Sequence, residues 1–274
     1  MANEGTIGLV RRQTRMVSMA LWMPYILTGA TIVGKIFGDP EKVDVDWKHK
    51  WVRGAVRIVG LDIHVACGTP GWESDRGRIV ISNHRTPLDI IALLHMFGGH
   101  FLANHRVERA PIIGAGARRI GTVFVDREDR RSGVGAIRTL RRFLEEKRTV
   151  IVFPEGTTHG GDEVREFKGG AFTAGNGLDV DIVPVGFAYT PGHELASGKT
   201  GPHVRGFLSR PRTPVWAAIG DPIPFPKERK GLEENMRTKV QALVHRARER
   251  DVGGLAGAPR GELPASASEG DEPA

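Results

Sequence analysis

Short apolar runs, each closed by glycine, proline or charge, recur through the middle of the chain. Arg78 to Ile81, Gly121 to Arg127, Thr149 to Phe153, Asp181 to Phe187 and Val215 to Ile219 have the length and β-branched content of strands. Pro184 interrupts one of them and must sit where the ladder needs no hydrogen bond. Segments of helical period lie between. Ile90 to Leu94 continues from Thr86, Pro87 and Asp89, which suit the N-cap, first and third helical positions. Ser132 suits the cap of a helix with Val134, Ile137, Leu140 and Leu144 on one face and Arg138, Arg141, Arg142 and Lys147 on the other. Phe167 to Phe172 opens a glycine-rich helix, and Leu232, Met236, Val240 and Leu243 mark a last helix ending near Arg250. Strands alternating with helices predict an α/β fold: a single layered domain with a mixed, mostly parallel sheet flanked by helices.

The flanks differ from this core. Met16 to Gly34 holds no charged residue, with Arg11, Arg12 and Arg15 before it and Lys35 after. That length is at the lower edge of a transmembrane helix, and Pro24 falls in its middle. A cleaved signal peptide, a spanning helix with its arginines in the cytoplasm, and a broken helix lying in one leaflet all satisfy it. With a single cysteine and no Asn-x-Ser/Thr site, membrane attachment at the cytoplasmic face of the cell membrane is the expectation. Gly38 to Lys50 is polar around Pro40 and reads as a linker; Ala55 to Val65 alternates around Gly60 and reads as a strand or hairpin. The organisation expected is a membrane-associating segment over residues 1–38, a catalytic domain over 39–250 and a disordered tail over 251–274.

The net charge of +7 points to an anionic partner. Nucleic acid is not expected, because the chain lacks finger spacing, RNP-type strands and basic heptads. An anionic lipid surface or a phosphorylated substrate remains, and the arginine face of the helix after Ser132 suits lipid head groups or simple solvation. His95, His100 and His105 recur every five residues, which shares no helical face and matches no zinc pattern. No metal or bound cofactor is expected.

Three candidate residues fall at strand ends, where α/β sheets gather ligands: His84, Arg127 and Glu155. Asp89 lies in the helical turn after His84 and can reach back to its ring. A carboxylate on one ring nitrogen fixes the tautomer and leaves the other free as a base. Asp89 completing a capping box with Thr86 is the plainer alternative. Pro154-Glu155-Gly156-Thr157 reads as a turn after the third strand. No G-x-S-x-G nucleophile elbow is present, and Cys67 opens a turn with no catalytic signature.

Taken together, four blocks resemble a known family. These are Asn83-His84 with Asp89, Gly121 through Phe124-Val125-Asp126-Arg127, Phe153-Pro154-Glu155-Gly156-Thr157 and Val183-Pro184-Val185. Their order and spacing are similar to those of the glycerophospholipid acyltransferases, typified by 1-acylglycerol-3-phosphate acyltransferase. The resemblance covers roughly residues 55 to 220, and the N-terminal apolar stretch resembles the family's membrane-docking segment. It implies transfer of an acyl group from acyl-CoA or acyl-carrier protein, as co-substrate, to the hydroxyl of a lysophospholipid. It also implies the roles. His84 is the general base and Asp89 its orienting partner. Arg127 binds the acceptor phosphate with help from Lys168, and the Glu155-Gly156-Thr157 turn holds the acceptor. Backbone amides near the helix start would stabilise the tetrahedral oxyanion. One departure stands out. Many members carry Arg-Ser after the third-block threonine, where this chain has Thr158 and His159, so the acceptor phosphate is held differently or the acceptor is another lysolipid. His159 is expected to be an exposed loop histidine.

Overall fold

The computed structural model describes residues 2–37, 40–71, 74–108, 117–118, 121–126, 128–194 and 200–253. In chain order the elements are α1 (Ala2–Phe37), α2 (Pro40–Val59), β1 (Leu61–Cys67), β2 (Gly77–Ser82), α3 (Leu88–Phe97), β3 (His100–Asn104) and α4 (His105–Glu108). They continue as β4 (Val123–Val125), α5 (Arg130–Glu145), β5 (Thr149–Val152), a 3-10 helix (Gly169–Gly175), β6 (Val180–Tyr189), α6 (Thr200–Ser209), β7 (Thr213–Ile219), β8 (Ile223–Pro224) and α7 (Leu232–Gly253).

The strands form one mixed sheet in the order β1-β7-β6-β2-β5-β3-β4, with β8 paired to β6. Among the described residues only the β6–β7 and β6–β8 pairs are antiparallel. β2 sits between β5 and β6, parallel to both, and all six of its residues are buried. That explains its unbroken apolar run: helices cover both faces, so alternation is not required. Val80, Ile151 and Val183 point to one face, beneath α1, α2 and α3. Ile79, Ile81, Val150, Val152 and Ile182 point to the other, beneath α5 and α7. The mostly parallel layered sheet expected from the sequence is present.

Pro184 sits at the junction where β8 stops pairing with β6 and β7 begins. Its carbonyl accepts from Gly220 N at 2.9 Å on that side. The amide that proline lacks would face the same gap, so no ladder bond is lost.

Three local expectations are corrected. The stretch read as a linker is helix α2, begun by Pro40 at a position where proline's fixed φ favours a helix. Trp47, Trp51, Ala55 and Val59 step along one side of α2 and pack inward, so the half of Ala55–Val65 before Gly60 is helical and only β1 is strand. Gly60, at φ +72°, turns the chain between them, and a side chain there would collide with the Arg15 guanidinium. α1 also runs through Pro24 without stopping, with Met23 and Ile26 buried beside it. Packing against α2 compensates for the hydrogen bond that the proline removes. At α5 the cap is Asp129, whose side chain accepts from Arg131 N at 2.8 Å. Ser132 Oγ instead accepts from Asp126 N at 2.9 Å.

α1 is joined to the domain through its arginines. Arg15 donates to the carbonyls of Phe207, Leu208, Arg210 and Pro211, and Arg11 to that of Ser209. These are the orphan carbonyls of the last turn of α6, where cations are favoured, and the two carbonyls just beyond it. Of the nine large apolar side chains exposed among the described residues, eight lie on α1 and the ninth is Val134. α1 is long and apolar enough to cross a membrane, by length and composition. α7 extends through Gly253, so residues 251–253 of the expected tail are helical; 254–274 lie outside the described residues.

Candidate active site

The site begins where β2 ends. Asn83 is fully buried and clamps the chain to β6: its Nδ2 donates to Phe187 O at 2.9 Å, and its Oδ1 accepts from Phe187 N at 2.8 Å. The side chain stands in for one more rung of the sheet and aims the next residue, His84, off the carboxyl edge. The His84 ring stacks on Phe153 at the end of β5, centroids 4.0 Å apart and 18° from parallel.

Asp89 then reaches back, as the spacing allowed. Its Oδ2 accepts from His84 Nδ1 at 2.8 Å, Arg85 N at 2.6 Å and Thr86 N at 2.9 Å. Its Oδ1 accepts from the Tyr189 hydroxyl at 2.6 Å. With the carboxylate fully buried and holding Nδ1, His84 carries its proton there, and Nε2 has no partner among the described residues. A general base needs that open nitrogen. Burial and the Asp89 charge push the Tyr189 hydroxyl well above its ordinary range, so it stays a donor.

The helix start differs from the expectation in two ways. α3 begins at Leu88, one residue later than a Thr86 cap implies, with no side-chain cap, and Asp89 reaches back to the amides of Arg85 and Thr86 ahead of the helix. Thr86 Oγ1 meets Leu88 N at only 3.4 Å and lies 2.8 Å from His203 Nε2. The amides of Arg85 and Thr86 are both bound to Asp89, so they are not donors to an oxyanion.

Glu155 lies beneath His84 rather than in front of it. Its side chain is fully buried, with Arg85 Nη1 at 3.1 Å and the amides of His84 and Arg165 each at 3.2 Å. Burial raises its carboxyl above the usual range, while Arg85 and those two amides oppose the shift. Arg85, 1% exposed, also donates to the carbonyls of Gly161 and Glu163. His159 completes the cluster. Its Nε2 lies 3.2 Å from Arg85 Nη1, and its Nδ1 lies 3.2 Å from Glu155 Oε2, outside good hydrogen-bond alignment. The expectation of an exposed His159 is therefore corrected: it is buried, and burial followed by the nearby Arg85 charge lowers its pKa.

Beside this cluster, Gly156 turns at φ +78° with the Lys168 side chain lying across it. Lys168 N is held by Pro154 O at 3.0 Å, and Thr157 and Lys168 are both exposed. His84, Asp89, Glu155, Gly156, Thr157 and Lys168 thus gather at the carboxyl ends of the neighbouring strands β2 and β5. Arg127 lies outside the described residues. Among the described residues no group of three His, Cys, Asp or Glu is placed to hold a metal ion.

A protein-family model described as Acyltransferase matches residues 68–188. The 1-acyl-sn-glycerol-3-phosphate acyltransferase of Neisseria meningitidis serogroup B is 28% identical over 180 residues, covering 65% of this chain and 68% of that protein. The lyso-ornithine lipid O-acyltransferase of Brucella abortus is 29% identical over 191 residues, covering 62% and 72%. The crystal structure of the 1-acyl-sn-glycerophosphate acyltransferase PlsC from Thermotoga maritima shares the fold, with a TM-score of 0.64 over 87% of this chain and 98% of that one at 22% identity.

Residues 68–188 form an acyltransferase domain similar to those of the glycerophospholipid acyltransferases.

In this acyltransferase three residues of the site escaped sequence reasoning. Arg85 sits inside the motif, but a charged residue before a helix reads as solvated surface. Tyr189 closes an apolar strand 100 residues from Asp89, and no local signal joins the two. His203 reaches Thr86 from α6, whose far end is held by Arg11 and Arg15 of α1.

Proposed function

We propose that the protein transfers a fatty acyl group from a thioester donor to the free hydroxyl of a lysophospholipid, with 1-acylglycerol-3-phosphate as acceptor and phosphatidic acid as product. The observation that carries this is the His84–Asp89 pair, with Nδ1 held at 2.8 Å and Nε2 open. Nε2 takes the proton from the acceptor hydroxyl as its oxygen attacks the thioester carbonyl. The tetrahedral intermediate then collapses, the C–S bond breaks, and the imidazolium returns the proton to the departing thiolate. The acceptor takes the place of the serine in a hydrolase triad, so no acyl-enzyme is needed.

Lys168 and Thr157, exposed over the Gly156 turn, supply donors for the acceptor phosphate, with Arg127 in the same role. Glu155 acts indirectly, by fixing the His84 backbone and neutralising Arg85 beneath it. In this reading the apolar outer face of α1 seats the protein on an anionic membrane lipid surface, with the site at the cytoplasmic face where thioester donors are made. A lyso-ornithine acceptor is the second reading, favoured by Thr158-His159 in place of Arg-Ser. Mass spectrometry of products from a mixture of lysophosphatidic acid and lyso-ornithine lipid decides between them. Phosphatidic acid as the main product supports the first reading, and acylated ornithine lipid alone supports the second.

A further inference from the structure

The groove at the start of α5 is lined by Asp129, Arg130, Arg131, Val134, Gly135 and Arg138. Arg131, Val134, Arg138 and Arg142 recur at intervals of three and four residues, so they form one outward stripe ~16 Å long. Val134 is 52% exposed. None of the Arg130, Arg131 and Arg138 guanidinium groups has an ion-pair partner among the described residues. Asp129, the acidic residue in the groove, is engaged as the helix cap. Most other arginines have partners: Arg76, Arg85, Arg229, Arg237 and Arg248 sit in ion pairs, and Arg11 and Arg15 bind carbonyls.

Two placements say what this stripe faces. α5 packs on the sheet face opposite α1 and α2. Since α1 carries the apolar outer surface, the stripe is turned toward the aqueous side, away from the bilayer. Its N-terminal end also lies at the carboxyl edge of β4, in the same parallel set as β2. Three strand spacings separate β4 from β2, or ~14 Å. An extended phosphopantetheine arm spans that distance, and its thioester would then arrive at His84 along the edge of the sheet.

We propose that the Arg130/Arg131–Val134–Arg138 stripe docks an acidic, phosphopantetheine-bearing carrier protein that delivers the acyl thioester to His84. The proposal rests on the acyl-transfer reading. A row of free cations around one apolar residue, on an open helix face, complements an acidic helix with an apolar centre. It is too long and too shallow for a single phosphate.

The test compares palmitoyl-acyl-carrier protein with palmitoyl-CoA, using one lysolipid acceptor, in the wild type and in the Arg131→Glu/Arg138→Glu variant. Binding of the carrier protein is measured separately at low and physiological salt. Docking at the stripe predicts a KM for the carrier-bound donor raised about tenfold or more, with its kcat and the CoA kinetics within about twofold of wild type. Carrier binding should weaken with salt and with charge reversal. An equal loss with both donors, unchanged kinetics with both, or a wild type that uses palmitoyl-CoA but neither binds nor uses the carrier overturns the proposal. So does lost flotation on phosphatidylglycerol vesicles with unaltered donor kinetics, which would make the stripe a lipid contact. Should neither donor be turned over, carrier binding abolished by charge reversal keeps the docking surface and removes the acyltransferase reading; no binding removes both.

Discussion

Tyr189 donates its hydroxyl to Asp89 Oδ1 at 2.6 Å, across the carboxylate from the Oδ2 that holds His84 at 2.8 Å. Asp89 therefore has a donor on each oxygen and is fixed from the middle of the sheet. Tyr189→Phe leaves Oδ1 buried without its donor, which costs ~1–3 kcal/mol of stability. The freed carboxylate holds the imidazole less firmly, so kcat falls while both KM values stay near wild type. Urea unfolding and initial rates measure the two effects. A variant with wild-type kcat would make the tyrosine purely structural.

Glu155 and Arg85 form an ion pair with both side chains essentially buried. Removing one partner strands the other's charge, so Glu155→Ala should destabilise the fold by ~3–5 kcal/mol, and Glu155→Gln by less. Paired unfolding curves and acceptor titrations distinguish this from direct acceptor contact. A raised acceptor KM with unaltered stability would place Glu155 against the substrate.

Asp89 reaching His84 was legible from five residues of sequence, because a helix start after a strand can bend in few ways. The sheet was legible for a similar reason: strands buried on both faces leave apolar runs bounded by turns. α2 was not, although Trp47, Trp51, Ala55 and Val59 hold a helical period, because Pro40 and the polar residues around it look like a linker when the packed partner α1 is unknown. Glu155 looked like a turn residue free to touch substrate; its burial depends on Arg85 and His159, which only the tertiary fold brings together.

His95 and His100 make stability depend on pH. Burial, then Arg53, His49 and Arg57, hold His95 down at about 4. Burial, then Lys48, holds His100 at about 3 despite its bond to Gly121 O. The unfolded histidines titrate near 6.5, above both folded values. Protonation therefore favours the unfolded chain, so this contribution is complete above about 6.5 and is lost as pH falls toward 4. Denaturant midpoints should drop between pH 7.5 and 5.0, and His95→Gln/His100→Gln should flatten that drop. An unchanged slope in the double variant would assign the acid sensitivity to other groups.

Deleting α1 would strip Arg11 and Arg15 from α6 and uncover the core beneath Met23 and Ile26, so truncation confounds membrane binding with folding. Substituting the exposed residues Val10, Val17 and Leu21 with glutamine leaves those contacts intact. Flotation with liposomes should fall sharply while activity on a detergent-dispersed acceptor persists. Undiminished flotation would mean that another surface holds the lipid.

In the proposed reaction His84 activates an acceptor hydroxyl for attack on a thioester. Thiol release from palmitoyl-CoA and palmitoyl-acyl-carrier protein, followed with and without lysophosphatidic acid in the wild type and in His84→Ala, tests it most directly. With at least one donor, release should depend on the acceptor and fall at least ~10²-fold in the variant, whose unfolding curve stays close to wild type. Release that is equal without acceptor, or that survives in His84→Ala, would contradict it.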